Sequence, residues 1–172
     1  GEYVARFQPV YAASSVEVGA AEAFNVPRTA LQGYVWPTTP AKGRQALLGT
    51  WEETSGRGYA LIIDDTGALA LLVGDGKSQQ LVSTQVPLLA RHWYLVAASF
   101  DTASSEAWVG QRPLVCYARG DTTAARQAQL TVHPAAGAAF RMAAWNVQVQ
   151  DGPHVGRVVA GGFYNGKLEE PV

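Results

Sequence analysis

Short apolar runs, separated by glycine, proline, aspartate and serine, recur along the 172 residues of the chain. This spacing is typical of antiparallel β-proteins, in which short strands alternate with tight turns. Within the run 29–36, Leu31, Gly33 and Val35 share one parity, as the inward residues of a half-buried strand do. The sequence therefore predicts an all-β fold, an antiparallel two-sheet β-sandwich of jelly-roll type.

The predicted strands differ in how deeply they should be buried. The run 92–100 is the most apolar, and we expect a central strand that is buried on both faces and pairs with 106–111. The polar run 80–83 should lie at a sheet edge. The other predicted strands are 29–36, 45–51, 58–64 (with Tyr59, Leu61 and Ile63 on one face), 68–73, 140–149 and 163–168.

One segment interrupts this pattern of strands and turns. Residues 118–139 form a long, alanine-rich connection, which in a sandwich is either a lid-like loop or an insertion. Within it, Thr122 to Gln129 could form two helical turns capped by Asp121 or Thr122. Helix signals in the rest of the chain are poor.

Composition limits the functional classes. The net charge is −1 and charged residues make up 16% of the chain, so no basic face for nucleic acid is expected. The chain contains no stretch of about 18 apolar residues, which argues against a membrane-spanning helix and a membrane partner. Because Cys116 is the only cysteine, no internal disulfide can form, and we expect a cytoplasmic protein.

We predict no catalytic residues. The segment 74–78 (Gly-Asp-Gly-Lys-Ser) ends like a phosphate-binding loop, but Leu71 stands where its first glycine is needed, so a hairpin turn is expected. Cys116 has no nucleophile signature around it and is expected to be a small buried hydrophobe. The acidic pairs 52–53 and 169–170 would face opposite sides of a strand, unlike the paired carboxylates of a glycosidase.

We also predict no metal site and no cofactor, with calcium as the alternative. No histidine has a His or Cys partner at metal-ligand spacing. A rim calcium site could use turn carboxylates, but isolated turn aspartates usually accept hydrogen bonds from their own backbone. The aspartates in predicted turns are Asp64, Asp65, Asp75, Asp101, Asp121 and Asp151.

Four aromatic residues are the candidate binding residues. Tyr34 and Trp36 have the parity opposite to the inward residues of the run 29–36, so they should point to the outer or concave face. Trp51 lies at a strand end and Trp108 in a polar strand, so both are candidates for exposure. Such rings could stack against a sugar, or they could anchor the core or pack against another domain.

Several phrases of the sequence, taken in order, resemble one family. The phrases are GYVWPTTP (33–40), GRQALL (43–48), GYALII (58–63), GALAL (67–71), PLLARHWY (87–94) and FYNGKLEEP (163–171). Together they are similar, over residues 8–171, to the laminin-G-like jelly-roll domain inside the large subunit of bacterial N,N-dimethylformamidase and its relatives. The last phrase is typical of concanavalin A-like and laminin-G-like sandwiches, and it predicts an Asn165-Gly166 turn followed by a short strand with Leu168 as its apolar residue.

The resemblance implies a non-catalytic module. The family is an iron-dependent amidohydrolase whose tyrosine and glutamate ligands lie in another domain, so no iron ligand is carried onto this chain. The implied role is assembly, scaffolding or framing of the active-site entrance, with other domains or subunits as partners. A lectin-like carbohydrate-binding module is the alternative. Since the chain begins with Gly1 rather than methionine, we expect residues 1–172 to be a single domain excised from a larger chain.

Overall fold

The computed structural model describes residues 14–19, 21–114 and 120–172, and they are almost entirely β-structure. Two short 3₁₀ helices span Ala21–Phe24 and Pro40–Lys42, and neither is long and apolar enough to cross a membrane. The strands are β1 (Val16–Gly19), β2 (Arg28–Pro37), β3 (Gln45–Gly49), β4 (Arg57–Ile63), β5 (Ala68–Asp75), β6 (Gln79–Pro87), β7 (Tyr94–Asp101), β8 (Glu106–Pro113), β9 (Ala124–Gln129), β10 (Phe140–Met142), β11 (Trp145–Gln148), β12 (Val158–Gly161) and β13 (Gly166–Glu169).

Two antiparallel sheets form the sandwich. The six-stranded sheet has the order β1-β10-β3-β4-β5-β6, and the five-stranded sheet has the order β13-β2-β7-β8-β9. A separate ribbon consists of β11 and β12. Strands from opposite ends of the chain lie side by side, as β13 beside β2 and β10 beside β3 show. These long-range antiparallel pairings confirm the predicted jelly-roll sandwich.

The main core lies between the two sheets. Alternate residues of β2 and β7 meet alternate residues of β4 and β5 there, because successive side chains of a strand point to opposite faces. The Tyr59 and Phe100 rings meet edge to face, with centroids 5.1 Å apart. The predicted inward residues of β2 and β4 belong to this core: Leu31, Val35, Tyr59, Leu61 and Ile63.

A second apolar cluster covers the outer side of the six-stranded sheet. We call it the outer cluster; its members are Ala46, Trp51, Ala60, Ile62, Ala70, Leu72 and Trp145. The residues from β4 and β5 have the parity opposite to the main core, Ala46 precedes a register shift in β3, and the ribbon contributes Trp145. The middle strands of the six-stranded sheet are therefore buried on both faces.

The five-stranded sheet is covered on one side only. Its central strand β7 was expected to be buried on both faces, but buried and half-buried residues alternate along it. Within the described part of the chain, no apolar cluster packs on its outer side as the outer cluster packs on the other sheet. The expectation of a central strand that pairs with β8 is confirmed, whereas burial on both faces is wrong.

The helix expected at 122–129 is also wrong, because β9 occupies most of this segment. The edge of β8 is free to pair, and β9 joins it in a continuous register from Glu106 opposite Gln129 to Gln111 opposite Ala124. The ladder supplies the backbone hydrogen bonds that a helix would have made, and tertiary pairing overrides the weak helical preference of alanine.

The closing phrase forms its strand without the expected Asn-Gly turn. Gly166 is the first residue of β13 and pairs with Pro37 of β2. A β-carbon at Gly166 would lie 2.3 Å from the Tyr164 hydroxyl oxygen and 2.4 Å from the Trp36 carbonyl oxygen, so glycine is needed for close approach. Leu168 packs against the main core, as predicted.

Two turn and edge predictions are confirmed. The 74–78 segment is a hairpin turn between β5 and β6, in which Gly76 has a φ of 91° and Asp75 Oδ1 accepts the N–H groups of Lys77 and Ser78. The polar strand β6 lies at the edge of the six-stranded sheet.

The predicted strand 140–149 is divided into β10 and β11 at Ala143, whose φ is 60°.

Candidate functional site

The outward surface of the five-stranded sheet is the candidate site, and we call it the open face. Strand pairing places its outward residues in rows that run across β2, β7, β8 and β9. The first row is Ala30, Ser99, Trp108 and Gln127, and the second is Gln32, Ala97, Gly110 and Ala125. Trp108 is by far the largest side chain of the two rows, so its indole stands among small and polar neighbours.

The Trp108 indole lies along its strand over Gly110. A β-carbon at Gly110 would be 2.5 Å from Cη2 and Cζ2 of Trp108, so any larger residue would displace the ring. The side chain is 39% exposed. Three depressions in the open face, with volumes of about 590, 250 and 220 Å³, share this ring as a wall.

The largest depression has a polar rim. Arg28 Nε donates a 2.8 Å hydrogen bond to Asp101 Oδ2, and Asp101 Oδ1 accepts the N–H of Ala103 at 2.9 Å. The hydrogen bond from Ala103, together with the Arg28 guanidinium, holds the pKa of Asp101 below its ordinary value. The other polar residues of the lining are Thr29, Ser99, Glu106 and Gln127. The depression therefore offers both hydrogen-bond donors and acceptors beside one aromatic wall.

The depression of about 250 Å³ on the other side of Trp108 is apolar. It is lined mainly by Leu95, Ala97, Ala124 and Ala125, together with Gly110. The smallest depression is lined in part by the exposed side chain of Val172. Trp108 therefore stands between the largest depression, which has a polar rim, and a smaller depression that is apolar.

Tyr34 and Trp36 lie on the open face, as their parity predicted, but neither lines the three depressions around Trp108. Both side chains are half-buried. The Lys167 ammonium stands 5.2 Å from the centroid of the Trp36 ring, which covers part of that ring with a cation–π contact. The structure therefore brings together only Trp108 and the polar rim.

Trp51 was a candidate for exposure, and the structure contradicts this because its side chain is 1% exposed. Its indole belongs to the outer cluster, and its Nε1–H donates to Glu53 Oε2 at 2.5 Å. Gly74 makes room for the ring, since a β-carbon there would be 2.8 Å from Cζ3. Trp145, which packs against Trp51, is far away in sequence. The position of Trp51 at a strand end therefore did not indicate that its side chain is buried.

Four turn aspartates accept hydrogen bonds from the backbone of their own loops: Asp64, Asp75, Asp101 and Asp121. Asp64 Oδ1 accepts the N–H groups of Thr66 and Ala68, while Oδ2 accepts Ser83 Oγ–H. Burial alone would raise the pKa of Asp64, but these hydrogen bonds hold it below its ordinary value. Among the residues that the structure describes, no three His, Cys, Asp or Glu side chains are grouped to hold a metal ion. The absence of a metal and a cofactor stays a prediction, with calcium as its alternative.

A Ser–His contact was not suggested by the sequence. Ser105 Oγ lies 3.1 Å from His133 Nε2, and Ser105 has a φ of 54°. A nucleophilic pair also needs a third group that orients the base, and no hydrogen bond of the described residues supplies one at His133 Nδ1. Cys116, the other nucleophile considered, lies outside the described residues.

The β11–β12 ribbon presents a second surface, which we call the valine ribbon. It carries three exposed valines, Val155, Val158 and Val159, which are 62%, 46% and 39% exposed. One edge of β11 is hydrogen-bonded to the segment that follows β3. Asn146 N–H donates to the Trp51 carbonyl, and the Glu52 carboxylate accepts the N–H of Gln148. Within the described ranges, β12 pairs with β11 alone and forms an outer edge.

Comparison with known proteins identifies related chains. No family model matches. The chain is 34% identical over 124 residues to the N,N-dimethylformamidase beta subunit of Paracoccus aminophilus, and 31% identical over 118 residues to that of an Alcaligenes species. Each match covers 67% of this chain, which spans about 15% of the length of either relative.

Solved structures show the same fold at low sequence identity. The LG1-3 region of the laminin alpha2 chain is 12% identical with a TM-score of 0.59, covering 93% of this chain and 30% of the laminin chain. The Ruminococcus gnavus IT-sialidase CBM40 is 12% identical with a TM-score of 0.57, covering 91% and 89% of the two chains. The predicted resemblance is confirmed: this chain is a laminin-G-like jelly-roll domain similar in sequence to a segment of the N,N-dimethylformamidase beta subunit.

Proposed function

We propose that this chain is a non-catalytic module of an N,N-dimethylformamidase-like amidohydrolase and that it holds other domains or subunits of that enzyme in place. The observation that carries the proposal is the match to only 15% of a much longer subunit. In this proposal the remaining length of such a subunit supplies the chemistry, and the sandwich supplies rigid surfaces. A cytoplasmic location stays a prediction.

The valine ribbon is the surface best suited to assembly. Edge strands of soluble proteins are usually guarded by charged residues or proline, because an open edge pairs with other chains. Here β12 carries Val158 and Val159 in succession, and both are exposed. We assign its occupant as another domain of the same amidohydrolase subunit, since the matched relatives extend far beyond the sandwich.

The test begins with the native gene product in the source cells. An antibody against the sandwich should detect a band far above 18.3 kDa, the mass of this chain. In that product, the double substitution Val158→Lys and Val159→Lys should weaken the association of the sandwich with the remaining domains, measured as faster cleavage between them in limited proteolysis. Trp108→Ala, on the open face, is the matched control and should leave association unchanged.

A native band at the mass of this chain would overturn the proposal. So would a double lysine variant that assembles normally, because the ribbon edge would then bind no domain. The alternative function, carbohydrate binding, depends on a different surface, the open face.

A further inference from the structure

We infer that the largest depression of the open face is a binding site for a neutral pyranose sugar. The site consists of the Trp108 indole as a stacking wall and a rim formed by Arg28, Asp101, Glu106 and Gln127. This inference is independent of the assembly role, because the valine ribbon lies on different strands.

The Trp108 ring has the geometry of a stacking platform. The ring lies next to Gly110, where a β-carbon would be 2.5 Å from Cζ2 and Cη2, and the side chain is 39% exposed, so a ligand can reach the ring. On the side of β7 and β2 its row neighbours Ser99 and Ala30 are small, so a ligand can approach the ring from that side. The C–H groups of a pyranose form a flat apolar face that packs against such a ring, while its hydroxyls remain at the edge.

The polar rim can satisfy those hydroxyls. The carboxylates of Asp101 and Glu106 accept hydrogen bonds from sugar O–H groups, and the side-chain amide of Gln127 both donates and accepts. Arg28, whose side chain is 76% exposed, has guanidinium N–H groups to donate beyond its contact with Asp101. The depression, about 590 Å³, is within the size range of small-molecule sites, roughly 300–1,000 Å³.

The charge of the rim favours neutral over acidic sugars. Its formal charges are one positive (Arg28) and two negative (Asp101 and Glu106). Arg28 and Asp101 form an ion pair, so Glu106 provides the uncompensated charge. A carboxylated sugar placed here would meet like charge, which disfavours its binding.

The same observations argue against a protein partner on this face. Around the depressions, the strongly exposed large hydrophobic side chains are Trp108 and Val172. A stable protein interface needs a desolvated centre of several large anchors, whereas the two outward rows are otherwise small or polar.

The experiment is a titration of the full chain, followed by NMR of the tryptophan indole N–H resonances. The neutral probes are methyl β-D-glucopyranoside, methyl β-D-galactopyranoside and lactose, and the acidic probe is N-acetylneuraminic acid. We expect at least one neutral probe to shift the Trp108 resonance. We expect N-acetylneuraminic acid to bind at least about tenfold more weakly than that probe.

Two variants test the platform. Trp108→Ala should weaken binding of the neutral probe by about two- to tenfold, which matches the strength of an aromatic contact. Gly110→Ala keeps the tryptophan but displaces its ring, and should weaken binding as well. Trp36→Ala is the matched control on the same sheet and should change affinity by less than about twofold.

Three results would overturn the inference: no neutral probe binding at about 50 mM, equal binding by folded Trp108→Ala, or preference for the acidic probe. Circular dichroism of each variant separates lost binding from lost folding. The Val158→Lys, Val159→Lys double variant should retain sugar binding, so failure of the sugar site and failure of the assembly role are distinguishable.

Discussion

The outer sides of the two sheets contrast sharply although both carry a tryptophan that lies over a glycine. On the six-stranded sheet, Trp51 lies against Gly74 and is sealed within the outer cluster. On the five-stranded sheet, Trp108 lies over Gly110 and remains 39% exposed. Trp108 and Gly110 lie on one strand, whereas Trp51 follows β3 and reaches Gly74 on β5; only the six-stranded sheet is covered by the ribbon that carries Trp145.

This contrast teaches that a covering segment, rather than the strand itself, decides whether an aromatic residue stabilises the fold or remains available to a ligand. A fully buried tryptophan contributes several kcal/mol to folding, whereas an exposed one contributes little. Residues of the open face can therefore be exchanged for others that bind a ligand with only a small change in the free energy of unfolding.

The largest expected effect tests this difference directly. Trp51→Ala should lower the free energy of unfolding by about 3–5 kcal/mol, because it empties the outer cluster and removes the indole hydrogen bond to Glu53. Trp108→Ala should lower it by less than about 1 kcal/mol. Urea unfolding followed by circular dichroism measures both losses of free energy of unfolding. Equal losses would contradict the contrast between the covered and the uncovered sheet.

The two glycines give a smaller and more selective comparison. Gly74→Ala should cost about 1–3 kcal/mol of stability, because a β-carbon there would lie 2.2 Å from the Gly56 carbonyl oxygen and against the buried indole. Gly110→Ala should cost less than about 1 kcal/mol, since the exposed Trp108 ring can move aside. Thermal unfolding measures the pair. If Gly110→Ala lowered stability as much as Gly74→Ala, the exposed Trp108 ring would be held as rigidly as the buried Trp51 ring.

An effect smaller than those of Trp51→Ala and Gly74→Ala concerns Glu52, whose carboxylate accepts the N–H groups of Thr54 and Ser55 in its own loop and of Gln148 in the covering ribbon. Burial alone would raise the pKa of Glu52, but hydrogen bonds from Ser55 and Thr54 hold it below the ordinary value of 4.5. Because the folded pKa is lowered, this stabilisation is present above about pH 4.5 and is lost as the pH falls through the folded pKa.

Glu52→Gln should therefore cost about 1 kcal/mol at neutral pH, and the difference from the parent chain should shrink in acid. Urea midpoints measured between neutral and acid pH test this. A difference that stays constant across that range would exclude a role for the Glu52 charge. Some acid sensitivity should remain in the variant, because the pKa is also lowered at four aspartates: Asp64, Asp75, Asp101 and Asp121.

The fold could be predicted from local signals because parity and turn residues directly encode strands. Leu31, Val35 and Tyr59 alternate inward as expected, and the turn at Gly76 forms where glycine permits a positive φ. The Asn165-Gly166 signal failed because the same glycine serves a second need, close contact with Tyr164. A single residue preference cannot distinguish these two causes.

The candidate site was predicted only in part. The polar neighbours of Trp108 correctly indicated an exposed ring. Nothing near Trp51 indicated that Trp145 would cover it, since that contact joins distant parts of the chain. The rim residue Arg28 was missed because its partner, Asp101, becomes its neighbour only through the pairing of β2 with β7.

The hydrogen bonds that join β11 of the ribbon to Trp51 and Glu52 have a consequence for biosynthesis. The amide of Asn146 donates to the carbonyl of Trp51, 95 positions earlier in the chain. A ribosome therefore completes β3, β4 and β5 long before it makes the segment that covers them. A nascent chain that ends before residue 145 lacks the side chain that packs with Trp51 in the outer cluster, so we expect it to expose apolar surface that the complete fold buries.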